Sequence, residues 1–124
     1  MYRKILKIEL YGNYRLHILV SKNIQEARDR YNDLIGHTCE VGNTTSGMHS
    51  YGKADYESYL FITPNSPNST IVHESFHATL RVMDYIGADL NDGSEESYAY
   101  LLDYIFDKVV ETKAKYIDKY IKSN

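Results

Sequence analysis

The chain has 124 residues, 43% of them hydrophobic, and a formal net charge of −3. That length accommodates one domain spanning 1–124 with a modest core, and that composition excludes a disordered chain. Scattered basic residues argue against a nucleic-acid partner, and no apolar run approaches the roughly 20 residues of a membrane span. The lone Cys39 cannot form an internal disulfide and fits a reducing cytoplasm, and Met1 to Lys7 lack the apolar stretch of a secretory leader. Thirteen tyrosines and no tryptophan suit half-buried strand surfaces, where the ring packs and the hydroxyl stays wet.

In chain order, Ile5 to Tyr11 alternates apolar and polar residues as a half-buried strand does. Gly12-Asn13 signals a turn, and Tyr14 to Val20 resumes as the second strand of a hairpin. His17 alternates with Leu16 and Ile18, which predicts that it lies on the exposed face. Ser21 is a candidate cap for a helix from Asn23 to Ile35, with Ile24, Ala27, Tyr31 and Leu34 on one stripe and Gly36 as its stop. Gly42 to Gly47 is loop-forming, Met48 to Tyr51 a short strand, and Tyr59 to Thr63 a strand stopped by Pro64 and Pro67. Asn68, Ser69 or Thr70 then caps a helix running to about Ile86, before Gly87. Ser94 caps a last helix from about Glu95 to about Ile121, with apolar positions three and four apart. The order β-β-α-β-β-α-α predicts an α+β fold, a small antiparallel β-sheet packed on helices.

The chemistry concentrates in His73-Glu74-Ser75-Phe76-His77, an H-E-x-x-H pattern inside the first of the two C-terminal helices. Histidines four apart lie about 40° apart around a helix, so their imidazoles converge on one ion. The glutamate between them reaches the same side and can take a proton from metal-bound water. Zinc is the expected cofactor. Catalytic zinc usually takes three protein ligands, and eighteen residues after His77 comes Glu96, at the start of the next helix. A carboxylate there also suits the helix dipole, so capping is the competing role. The helical wheel favours Glu95 as the inward carboxylate, whereas the spacing favours Glu96.

H-E-x-x-H, eighteen residues, then E-x-x-A resembles the ligand pattern of the gluzincin zinc peptidases. Here it reads His73-Glu74-x-x-His77 followed by Glu96-x-x-Ala99. The stretch from Ile71 to Tyr104, within the C-terminal half, is similar to small zinc-peptidase-like proteins encoded by bacteriophages and to peptidase domains of phage-related regulators. The resemblance implies a zincin-like fold, His73, His77 and Glu96 as zinc ligands, and Glu74 as general base. It also implies a peptide or protein substrate, met in the cytoplasm of a bacterial host if the gene is a phage's. Candidates for stabilising an oxyanion are Tyr98, Tyr100, His49 and Tyr51, and Asp84 or Asp103 could orient a ligand histidine.

Three functions stay open on the sequence. The first is a zinc-dependent hydrolase of peptide bonds, which Glu74 favours because a purely structural site needs no base. The others are a non-catalytic zinc-containing binding or regulatory module, and a phage structural protein. The small size, with no second domain to wall a cleft, points to a specific partner, a restricted substrate or a cleft completed by another copy.

Overall fold

The computed structural model describes residues 2–35, 47–52 and 54–122. Strands β1 (Tyr2–Ile8) and β2 (Tyr14–Val20) pair antiparallel from Tyr2 opposite Val20 to Ile8 opposite Tyr14. A 3-10 turn, Glu9–Tyr11, joins them and ends on Gly12 and Asn13, at φ 70° and 59°. Gly12 suits the turn because an L side chain would be strained at this left-handed φ, and its Cβ would lie 2.9 Å from Cε2 of Tyr85. Helix α1 (Ile24–Ile35) follows. Asn23, not Ser21, caps it, its Oδ1 accepting the Glu26 N–H at 3.0 Å. Ile24 and Ala27 are buried. The side chains of Tyr31 and Leu34, and the expected loop through Ser46 with His37 and Cys39, lie outside the described residues.

Strands β3 (Gly47–Tyr51) and β4 (Glu57–Ile62) complete a four-stranded sheet in the order β1-β2-β4-β3. The sheet is mixed, which corrects the expected antiparallel arrangement: β4 pairs parallel with β2 and antiparallel with β3. Burial explains the order. Every residue of β4 from Ser58 to Ile62 is buried, as is β2 from Leu16 to Val20, and such runs belong in the middle of a sheet covered on both faces. The more polar β1 and β3 take the edges. The same arrangement overturns the expectation for His17, which is only 7% exposed. It stacks on Tyr59 at 4.4 Å, and its Nε2 is 3.3 Å from Oε2 of Glu57.

Helix α2 (Asn68–Tyr85) carries the H-E-x-x-H residues, and helix α3 (Glu95–Ile117) follows it. Pro67 occupies the N-cap position of α2, with no side-chain cap, so Asn68, Ser69 and Thr70 lie within the first turn. The C-terminus closes with Gly87 at φ 77° and the Ala88 N–H donating to Met83 O at 2.9 Å. Ser94 precedes α3 without a side-chain cap bond, because its hydroxyl donates to Asp89 O instead. Regular α geometry ends at Ile117, short of the expected Ile121, and widens into a π turn, Asp118–Lys122. The main core lies between α2, α3 and one sheet face, with Leu16, Ile18, Leu60, Ile71, Val82 and Ile105 fully buried. A second cluster, Leu19, Ile24, Ala27, Met48, Tyr59 and Phe61, seats α1 on the opposite face. No helix among the described residues is long and apolar enough to cross a membrane.

Candidate metal centre

Helical spacing alone brings His73 and His77 together. Their Nε2 atoms are 3.2 Å apart and their rings nearly perpendicular, with centroids 4.8 Å apart. Two nitrogens sharing one tetrahedral zinc at about 2.0–2.1 Å would stand about 3.3–3.4 Å apart, so this pair fits two adjacent ligand positions. Both side chains are exposed and open to an ion from solvent.

Glu74 is held differently. It is only 8% exposed, and its Oε1 lies 4.0 Å from Nε2 of His73. The cover comes from the first residue of β3: a Cβ on Gly47 would stand 2.7 Å from Cγ2 of Thr70 and 3.2 Å from Cγ of Glu74. Only glycine lets the strand lie this close to α2. Burial pushes the Glu74 carboxyl above its ordinary pKa, and electrostatic interaction with His77 and His73 acts in the opposite sense. A partly buried carboxylate beside two imidazoles is the arrangement a general base needs.

Register places alternate residues of β3 over α2. Gly47, His49 and Tyr51 pair with Ile62, Leu60 and Ser58, whose side chains share the helix-facing side. The His49 Nε2 and the Ser58 Oγ share a hydrogen bond of 2.8 Å. Burial, then the charges of His77 and Arg81, lower the His49 pKa to about 3, so it is neutral at ordinary pH. Tyr51 lies against Arg81, whose guanidinium carbon is 4.2 Å from the ring centroid. Two of the four oxyanion candidates, His49 and Tyr51, are therefore on the strand beside the histidine pair. Of the others, buried Tyr98 donates its hydroxyl to Ala88 O, and Tyr100 is exposed on α3. Sequence reasoning missed Arg81. Its signal was available: it stands four residues after His77 and seven after Glu74, on the same side of the helix.

Glu96 is not brought to the histidines in this structure. Helix α2 continues eight residues past His77 to Tyr85, about 12 Å of helix. Helix α3 then returns antiparallel, with Tyr98 bonded to Ala88 O and Lys113 Nζ donating to Ser66 O at 2.9 Å. That register sets Glu95 and Glu96, both exposed, beside the C-terminal end of α2. Among the described residues no three His, Cys, Asp or Glu side chains gather as a metal site. Asp84 contacts Arg81 rather than a histidine, its Oδ2 being 3.5 Å from Nη1, and Asp103 is exposed on α3.

Comparison with protein-family models, with curated proteins and with solved structures finds no match.

Proposed function

We propose that this protein is a zinc-dependent hydrolase of peptide bonds. The observation that carries the reading is the His73 and His77 pair, with Nε2 atoms 3.2 Å apart, flanking a mostly buried Glu74 under an edge strand. His73 and His77 are the residues that would hold the ion. Bound zinc would supply Lewis acidity and bring the pKa of its water near 7. The Glu74 carboxylate accepts a proton from water held beside the two imidazoles and returns it to the leaving amine. Strand β3 excludes bulk water from one side of Glu74.

For the third ligand, the spacing names Glu96. It can serve only if the first turn of α3 moves toward His77. The test of the whole reading is the zinc content of protein purified without added metal, followed by mass-spectrometric screening of peptide cleavage. One zinc per chain and cleavage abolished by a chelator are expected. Metal-free protein that cannot be loaded with zinc would overturn the reading.

A further inference from the structure

Arg81 is a cation beside the proposed site for which the hydrolytic step has no use. It stands one helical turn beyond His77 on the same side of α2, about 6 Å further along the axis. His49, on β3, pairs with Leu60 on the sheet face toward α2 and feels the charges of both His77 and Arg81. The guanidinium carbon lies 4.2 Å from the centroid of the Tyr51 ring, itself 60% exposed. Its Nε is buried with no hydrogen-bond partner among the described residues. The only carboxylate within ion-pair distance among those residues is Asp84, at 3.5 Å, and the Asp84 side chain is 78% exposed. The Arg81 side chain itself is 22% exposed, so the guanidinium is partly buried while its carboxylate partner stays in water, where it can swing away and leave the cation to another carboxylate. A guanidinium restrained by an aromatic ring loses less freedom when it forms two hydrogen bonds to a planar anion.

The geometry points to Arg81 as a specificity-determining residue that binds a substrate carboxylate one or two residues beyond the cleaved bond. This rests on the hydrolase reading above. Extended peptide advances about 3.3–3.6 Å per residue, so a carboxylate two residues past the scissile carbonyl lies about 7 Å from it. That is comparable with the helical rise from His77 to Arg81. The carboxylate can be the peptide's own C-terminus or an acidic side chain.

The test uses Glu74→Gln protein with zinc supplied, so that peptides bind without turnover. Three probes are titrated while the Arg81 side-chain N–H resonance is followed by NMR: an N-acetylated tetra-alanine acid, its C-terminal amide, and the amide with Glu in the last position. The free acid is expected to bind at least tenfold more tightly than the plain amide. Arg81→Gln should abolish that difference, Arg81→Lys should keep part of it, and Asp84→Asn should strengthen acid binding. The third peptide separates the two carboxylate sources. Equal affinity for acid and amide, or no binding of either, overturns the inference without any substitution at Arg81. An acid preference that persists in Arg81→Gln overturns it too. In the protein that retains Glu74, zinc-dependent cleavage of acid and amide alike would leave the hydrolase standing and remove the carboxylate site. Acid preference through Arg81 in a protein that takes up no zinc would do the reverse.

Discussion

Gly47 and Glu74 are in contact across the boundary between the edge strand and the motif helix, with only 3.2 Å available between a Cβ at position 47 and Cγ of Glu74. The glycine therefore sets how deeply the carboxylate is covered. Gly47→Val should push β3 from α2 and cost about 1–3 kcal/mol, the usual cost of overpacking. Denaturant midpoints measure it. An unchanged midpoint would mean that Thr70 and Glu74 make room freely.

Acid should destabilise the fold through His49. Its folded pKa is about 3, against an ordinary value of 6.5. Between those values the unfolded chain binds a proton that the folded chain refuses, so stability falls as pH drops from 6.5 toward 3. The slope from this one group is about 1.4 kcal/mol per pH unit. His17, also lowered by burial against the opposing Glu57, contributes in the same direction. Denaturation at stepped pH should show the slope in the native sequence and a shallower one in His49→Gln. Parallel curves would refute the assignment.

Glu74 and the histidines should separate cleanly. Glu74→Gln is expected to retain zinc and lose about 10²–10⁴-fold in hydrolysis, the usual contribution of a positioned base. His73→Ala and His77→Ala should each abolish stoichiometric zinc. Elemental analysis beside a cleavage assay decides it; zinc lost from folded Glu74→Gln protein would make Glu74 a ligand.

The adjacent glutamates pose a conflict between spacing and register. If the first turn of α3 moves to the metal, Glu96→Ala should weaken zinc binding much more than Glu95→Ala in a chelator competition. Glu95→Ala should then cost at most about 1 kcal/mol of stability, through helix-end electrostatics. Small, equal effects would exclude both carboxylates as ligands. His49 and His37 would then be the next residues to substitute.

The sequence by itself determined whatever depends on neighbours a few residues apart. The β1–β2 hairpin followed from alternation and Gly12-Asn13, α2 and α3 from apolar spacing, and the convergence of His73 and His77 from four residues of helix. Only the tertiary structure decided that β4 lies between β2 and β3, parallel to the first. The buried run from Ser58 to Ile62 carries that information, but a run does not name its partner. The burial of His17 follows from the same placement, because alternation assumes one wet face and β2 has none along most of its length. Likewise the sequence interval from His77 to Glu96 fixes no distance. The length of α2 beyond His77 and the return path of α3 set it, and these depend on how two apolar helix faces pack. His49, Tyr51 and Arg81 meet for the same reason: strand register and helix phase are set independently, and packing alone brings one over the other.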